Sequence, residues 1–264
     1  MQDPNKTNVE SIHSSHKGLK GIFETALRRF KVAMHLVATL PLYALGSICI
    51  GVAFLPGIAT FHWIQDNVVG MPTFVQYFAT GTSLALGYFM YGFTMLFVMP
   101  LINLLMRTSL KPWRGPYFSA EAVKWYIHNG ITYLVRFTFL EFVTPTPFNV
   151  LFYKMMGMKI GKGTQINSTH ISDPCLITLG KNVTIGGSAT ITGHYGQGGF
   201  LVLAPVKIGD GCTIGLRATV LGGVTIGDGA KILPNSVVLP KTVVPAGETW
   251  GGVPAQKFTF HKAA

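Results

Sequence analysis

The sequence predicts an N-terminal α-helical transmembrane hairpin followed by an all-β, left-handed parallel β-helix, a solenoid of hexapeptide repeats. Two features of the 264-residue chain carry this prediction. Between Lys31 and Arg107 the only Lys, Arg, Asp or Glu is Asp66, whereas from residue 208 onward apolar residues recur every six positions. Because a single globular core would not separate charged from apolar residues in this way, we expect two unlike parts.

The predicted hairpin occupies residues 32–106. Its apolar stretches, residues 32–64 and 75–106, each exceed the roughly 20 residues that a helix needs to cross the hydrocarbon core. Basic residues flank both ends, among them five of those before the first stretch and three shortly after the second: Lys17, Lys20, Arg28, Arg29, Lys31, Arg107, Lys111 and Arg114. By the positive-inside rule we expect a multi-pass protein of the inner (cytoplasmic) membrane, with the N-terminus and the β-helix in the cytoplasm.

The remaining segments follow from these two parts. Residues 1–31 form a basic cytoplasmic segment, 107–157 an interfacial or linker helical segment, 158–250 the β-helix and 251–264 a C-terminal tail. Within the linker, the stretch from Ser119 to Met156 mixes aromatic and charged residues and includes an N-cap candidate at Ser119. Two interpretations stay open for it: an amphipathic segment in the headgroup layer, or a helix that packs against the repeats.

Composition excludes two classes of function. The net charge is +11, but six of the 21 basic residues precede the first apolar stretch and the others are scattered. This distribution indicates contact with anionic lipid headgroups and no nucleic-acid partner. The three cysteines, Cys49, Cys175 and Cys212, have no metal-binding spacing, so we interpret them as small buried residues and predict no metal site.

The six-residue period is the strongest pattern in the chain. Its leading positions are all apolar: Ile208, Ile214, Val220, Ile226, Ile232, Val238, Val244 and Trp250. Three short strands per coil would point these leaders into the axis of a triangular prism, where stacked coils bury one aliphatic column. The register breaks twice, at residues 170–178 and 194–207.

A family resemblance rests on the stretch TITGHYGQGGFLVLAPVKIGDGCTIGLRATVLGGVTIGDGAKILPNSVV and the ending VPAGETWGGVPA. Over roughly residues 150 to 257 the chain resembles hexapeptide-repeat acyltransferases of the galactoside and maltose O-acetyltransferase type. The lead-in FNVLFYKMMGMKIGKGTQI, the WGGVPA ending and the apolar segments resemble a membrane-anchored branch, the C-terminal part of polylysine synthetase-like proteins.

The resemblance implies transfer of an acyl group from acyl-CoA, by default acetyl-CoA, to a hydroxyl or amine, with no permanently bound cofactor and with a homotrimer as the assembly. His194 falls on the family's catalytic histidine, and an imidazole is suited to take a proton near neutral pH. The backbone N–H of Leu216 would stabilise the oxyanion. Four residues are candidates for lining the coenzyme arm: Gly222, Gly223, Lys231 and Lys241.

Four further residues are candidates for substrate binding: Asn167, His170, Asp173 and Tyr195. Asp173 begins an Asp-Pro pair and is interpreted first as a turn residue, with the alternative that it orients an imidazole. The excursion at residues 198–204 is short and apolar, and Thr213 stands where sugar acetyltransferases often have Trp. Both departures favour an acceptor at the bilayer surface, such as a lipid or a lipid-linked glycan.

Two alternatives from other classes stay open. The chain could be a non-catalytic membrane scaffold that gathers a partner synthase. In addition, some β-helices of this kind resemble γ-class carbonic anhydrases, which bind zinc through three histidines across a subunit interface. However, only His170 and His194 lie within the coils, and their spacing differs from that family's.

Overall fold

The computed structural model describes residues 11–259, so residues 1–10 of the predicted basic segment and residues 260–264 of the predicted tail lie outside it. Within that range the helices come first. They are α1 Gly18–Arg29, α2 Lys31–Asn67, α3 Thr73–Leu105, α4 Ala120–Val135 and α5 Pro147–Met155. A π-helical turn, Arg136–Leu140, extends α4, and a short 3₁₀ turn, Pro174–Leu176, lies among the strands.

Helices α2 and α3 form a long apolar hairpin. In the part of the chain that the structure describes, residues Thr39–Asn67 of α2 and Thr73–Leu105 of α3 are long and apolar enough to cross a membrane. They cross closely at two glycines, because a Cβ added to Gly57 would come within 2.9 Å of the Gly87 Cα. Small residues at such crossings allow helix backbones to approach each other. Most apolar side chains around the hairpin are exposed.

Helix α4 joins the hairpin to the strands. Ser119 caps its N-terminus as expected, since its hydroxyl accepts a hydrogen bond from the Ala122 amide at 3.2 Å. The π-helical turn places Phe139 against Gly92 and Phe93 of α3. Helix α5 follows, with Thr146 accepting from the Phe148 amide, and leads directly into the first coil. The hairpin, α4, α5 and the coils share one continuous core.

The strands form a parallel β-helix of three faces. Face 1 contains β2 Lys159–Ile160, β5 Ile177–Leu179, β10 Val206–Ile208, β13 Thr225–Ile226 and β16 Val243–Val244. Face 2 contains β3 Gln165–Ile166, β6 Thr184–Ile185, β11 Thr213–Ile214, β14 Lys231–Ile232 and β17 Thr249–Gly251. Face 3 contains β4 Ile171–Ser172, β7 Thr190–Thr192, β12 Thr219–Val220 and β15 Val237–Val238.

The predicted repeat leaders occupy the axis. Seven of the eight are at most 2% exposed, from Ile208 to Val244, and Trp250 at the end of the column is partly buried. They also stack in register, since Ile208 pairs with Ile226 and Ile214 pairs with Ile232. The leaders therefore form the buried aliphatic column that the six-residue period predicted. The C-terminal strand β18, Gln256–Lys257, pairs antiparallel with β17 beside this end of the column.

Both breaks in the six-residue register fall at one corner of the prism. We call the turns that follow face 3 the third corner (Asp173, His194, Gly222 and Lys241 in successive coils) and those between faces 2 and 3 the second corner. The first break contains the 3₁₀ turn, Pro174–Leu176. The second contains a hairpin of β8, His194–Gln197, and β9, Phe200–Leu203. Strand β1, Trp113–Pro116, adds to β9.

Candidate active site

The third corner contains His194, the histidine predicted from the sequence, together with Asp173, Gly222 and Lys241 of the neighbouring coils. Strands β4, β7, β12 and β15 pair in register, so the turns that follow them lie above one another. Asp173, Gly223 and Lys241 turn the chain in the left-handed region, with φ of 59°, 83° and 63°. Gly193 has no room for a side chain, because its Cβ would lie 3.0 Å from the Asp173 Cβ.

A carboxylate–imidazole pair lies at this corner. The Nδ1 of His194 is 2.5 Å from the Oδ2 of Asp173, which is fully buried, while the His194 side chain is 21% exposed. Because a carboxylate accepts hydrogen bonds, Nδ1–H donates and the lone pair of Nε2 stays available on the accessible side. This is the tautomer that a general base needs.

Helix α4 completes the surroundings of the buried carboxylate. Trp125 Nε1 and Asn129 Nδ2 both donate to Asp173 Oδ1, at 2.8 Å and 2.7 Å. The Trp125 ring also meets the His194 ring edge to face, with centroids 4.9 Å apart. One turn further on, the Tyr133 hydroxyl hydrogen-bonds the Ser172 Oγ at 2.9 Å. A buried charge is tolerable only when such donors satisfy it.

Sequence reasoning missed Trp125 and Asn129, although a signal was present. Trp125, Asn129 and Tyr133 recur every four residues and therefore lie on one face of α4. A polar and aromatic stripe of this kind on an otherwise apolar helix indicates that this face packs against a buried hydrogen-bonding group elsewhere in the chain. The interpretation of this segment as interfacial or as a packing helix did not assign the stripe a partner.

A second buried polar cluster connects α4 with α3. His128 Nδ1–H donates to Asn103 Oδ1 at 2.8 Å, and its Nε2 lies 3.6 Å from the Cys175 Sγ. Thr108 donates to the same Asn103 oxygen. Burial lowers the pKa of His128 to about 4, with Lys124 acting in the same direction and Asp173 opposing it. The imidazole is therefore neutral at physiological pH.

We expect this cluster to make stability fall in acid. Because the pKa of His128 is about 4 in the fold and 6.5 in the reference state, the unfolded chain binds more protons between these values. The free energy of unfolding should then drop by roughly 1.4 kcal/mol per pH unit, or about 3 kcal/mol from pH 6.5 to pH 4. Denaturant unfolding of the detergent-solubilised protein measures this.

A His128→Gln variant isolates the contribution of His128 from that of the carboxylates, which also titrate in this range. Its amide keeps a donor for Asn103 but does not titrate, so its loss of stability in acid should be smaller by about the same amount. His62→Gln, in α2, is the matched control. An acid dependence that is identical in wild type and His128→Gln would contradict a neutral buried His128.

The structure separates the other predicted site residues into groups. Gly222 lies against His194, because its Cβ would meet the His194 backbone at 3.0 Å, and Gly223 adjoins the Lys241 side chain. Leu216 and Asn167 instead meet at the second corner, beside Gly187. His170 also lies there, immediately before β4, with its pKa lowered by burial and by Arg136. Within one chain these three are across face 3 from His194.

Two further candidates have other surroundings. Lys231 lies on face 2, between Thr213 and Thr249, and so is not at the third corner. Tyr195 follows His194 in β8 and is 8% exposed, and its hydroxyl has no hydrogen-bond partner among residues 11–259. Within the same range no cluster of three or more His, Cys, Asp or Glu has a geometry that would hold a metal ion.

The corner has the elements of acid–base chemistry: an imidazole that is partly exposed and a carboxylate that fixes its tautomer. Such a pair removes a proton from a hydroxyl or an amine as that group attacks an electrophile. The fold and the corner together define a hexapeptide-repeat β-helix protein with a histidine–aspartate pair.

Comparison with known proteins identifies the family. A family model described as "Hexapeptide repeat of succinyl-transferase" matches residues 205–240. The protein named "Putative acetyltransferase YvoF" of Bacillus subtilis (strain 168) is 32% identical over 155 residues, covering 53% of this chain and 86% of that protein. The chain belongs to the hexapeptide-repeat acyltransferase family.

Two other relatives match a smaller share of the chain. The delta-poly-L-ornithine synthetase of Acinetobacter baumannii (strain AB307-0294) is 33% identical over 107 residues, 40% of this chain and 8% of that protein. Mitochondrial gamma carbonic anhydrase 2 of Arabidopsis thaliana is 35% identical over 108 residues, 38% of this chain and 34% of that protein. The chain thus spans well under two thirds of either relative.

The solved structures that match this chain include acetyltransferases. A hexapeptide-repeat acetyltransferase, VCA0836 of Vibrio cholerae, is 30% identical with a TM-score of 0.36, covering 41% of this chain and 65% of that one. A serine acetyltransferase in complex with CoA is 20% identical with a TM-score of 0.36, covering 65% of this chain and 57% of that one.

Proposed function

We propose that the protein is a membrane-anchored acyltransferase that moves an acyl group from acyl-CoA to a hydroxyl or amine of a membrane-proximal acceptor. The observation that carries this proposal is the His194–Asp173 pair, which leaves one imidazole nitrogen accessible at a corner of a hexapeptide-repeat β-helix. Membership of the acyltransferase family supports the reaction class. Acetyl-CoA is the default donor within that class.

His194 acts as the general base. Its Nε2 takes the proton from the acceptor hydroxyl or amine while that oxygen or nitrogen attacks the thioester carbonyl. The resulting tetrahedral oxyanion collapses, the carbon–sulfur bond breaks, and the imidazolium returns the proton to the departing thiolate. Asp173 stabilises the imidazolium while it exists and, through Trp125 and Asn129, keeps the ring in position.

The stack below His194 suits the coenzyme arm. Gly222 packs closely on the His194 backbone, Gly223 packs on the Lys241 side chain, and the exposed Lys241 follows one coil later. Leu216 and Asn167 are at the second corner and do not reach His194 within one chain. In a left-handed prism that assembles as a homotrimer, the second corner of a neighbouring subunit would supply the Leu216 N–H as oxyanion donor and Asn167 for the acceptor.

Membrane anchorage through α2 and α3 is part of the proposal. A soluble protein would bury such long apolar helices, whereas here Leu55, Phe74 and Phe78 are between 59% and 78% exposed. The basic residues at both ends of the hairpin would keep the β-helix on the cytoplasmic side. An acceptor at the bilayer surface, a lipid or a lipid-linked glycan, fits a β-helix that is packed directly onto these helices.

Thiol release from acyl-CoA by the detergent-purified full chain tests the proposal. We expect release that rises when membrane lipid extract is added, and the label of a radioactive acyl donor to appear in the extracted lipid. A soluble sugar acceptor in place of the lipid extract is the control. Absence of both thiol release and donor binding would contradict the proposal and favour the non-catalytic scaffold.

A further inference from the structure

A second feature of the helical part is an apolar groove of about 470 Å³ between α2 and α4. Both of its walls are made by apolar side chains, among them Leu42, Leu45, Ile50, Ile127 and Leu134. Two glycines that line the groove, Gly46 and Gly130, leave empty space beside them. A Cβ on Gly130 would meet no atom within 4 Å, and one on Gly46 would touch only Leu134, at 3.8 Å.

The groove passes beside the candidate active site. Tyr133 lines it and hydrogen-bonds Ser172, the residue before Asp173. The face of α4 that carries Trp125 and Asn129 holds Asp173, while the adjacent face, with Ile127 and Gly130, lines the groove. Groove and carboxylate are therefore separated by the width of one helix.

Two further cavities lead from this groove to basic side chains. A small neighbouring cavity shares Thr39, Leu42 and Tyr126 with it and shares Tyr117 and Phe118 with a third cavity of about 130 Å³. That third cavity adjoins Gly199, at the tip of the hairpin that begins with His194, and is lined by Arg28 and Lys31. Because neighbouring cavities share lining residues, the three lie in a row with an apolar and a basic end, and we call this row the path.

At the basic end of the path, the guanidinium group of Arg28 and the ammonium group of Lys31 are available to bind an anion. Arg28 is 6% exposed, pairs with Glu24 at 3.0 Å and donates to the His13 carbonyl, yet its buried Nε has no partner among residues 11–259. Lys31 is exposed, and its Nζ lies 5.7 Å from the centre of the Phe118 ring. A phosphate would satisfy both groups, since guanidinium and ammonium groups bind phosphate oxygens.

We infer that this path binds an anionic lipid, with one hydrocarbon chain in the α2–α4 groove and the phosphate at Arg28 and Lys31. The occupant is argued from the charge of the path: an apolar end beside a helix that can span a bilayer and a basic end beside the His194 hairpin match an anionic amphiphile. The inference rests on the proposed function in taking this lipid as the acyl acceptor.

Photolabelling tests the site independently of activity. The probe is phosphatidylglycerol with a diazirine in its acyl chain, presented to the full chain in phosphatidylcholine vesicles. We expect label on α4 residues of the groove, and a reduction of about tenfold in Gly130→Leu and Gly46→Leu, whose side chains fill it. Gly51→Leu is the matched control, because Gly51 is a glycine of α2 with open space around it that does not line the groove.

Variants that change the charge at the basic end, together with the activity assay, distinguish the possible outcomes of the labelling experiment. Lys31→Gln should lower labelling by the anionic probe, whereas Arg29→Gln, outside the path, should not. Equal labelling in Gly130→Leu and Gly51→Leu, or protection by long-chain acyl-CoA and not by unlabelled phosphatidylglycerol, would overturn the inference. Wild-type labelling without lipid-stimulated thiol release would retain the lipid site and overturn only the proposed acyl transfer.

Discussion

His194→Asn is expected to lower the rate of acyl transfer by roughly 10²- to 10⁴-fold, the usual contribution of a positioned general base. Asparagine is the informative replacement, because its Nδ2 occupies the position of the imidazole Nδ1 and still donates to Asp173. The variant therefore keeps the hydrogen bond that holds the corner together and loses only the Nε2 lone pair that accepts the proton. Thiol release and label transfer to lipid measure the effect.

The loss should appear in kcat, with the affinity for acyl-CoA unchanged, because Nε2 acts on the acceptor proton and not on the coenzyme arm. His62→Gln, in α2 and away from the coils, should behave as wild type. A His194→Asn protein that transfers acyl groups at the wild-type rate would remove His194 from the mechanism and leave the β-helix as a binding scaffold.

The fold of the repeat part follows almost entirely from local sequence. The leaders from Ile208 to Val244 are six residues apart, and each is buried in the axis, because a strict six-residue period matches one face of the prism per repeat. The six-residue period also explains why Leu216 and His194 lie at different corners of the prism within one chain. Leu216 and Gly222 are six residues apart and so occupy successive corners, and Gly222 lies on His194.

The surroundings of His194 could not be derived in this way, because they depend on contacts between distant parts of the chain. Asp173 is 21 residues from His194, and Trp125 and Asn129 are 48 and 44 residues from Asp173. Both register breaks obscure the period at the positions where the site forms. Only the structure shows that both insertions fall at one corner and that α4 covers it.

Under the proposed function, this arrangement would give the helical part a role in the chemistry as well as in anchorage. Asn103 of α3 bonds His128 of α4, and α4 in turn holds Asp173. Asp173, the carboxylate that hydrogen-bonds His194, is thus held by a helix that packs on the apolar hairpin. We expect a β-helix separated from residues 11–135 to lack an oriented His194, since Trp125 and Asn129 would be absent.

Asp173→Asn is expected to have the second large effect, again roughly 10²- to 10⁴-fold in kcat, by fixing the wrong tautomer of His194. Trp125 and Asn129 both donate to Oδ1, so the new amide must keep its oxygen at that position. Its NH₂ group then faces His194 Nδ1. The imidazole can accept this hydrogen bond only with its proton on Nε2, where it no longer acts as a base.

The substitution should leave the fold intact, which makes the loss of activity interpretable. Asp173 has a φ of 59°, a left-handed conformation that Asn tolerates as well as Asp does, and the two side chains have nearly the same shape. Asp210→Asn, an exposed aspartate at another corner, is the matched control and should retain full activity. If Asp173→Asn were as active as Asp210→Asn, Asp173 would be a turn residue alone, and the orientation of His194 would have to come from the Trp125 ring and the β8–β9 hairpin.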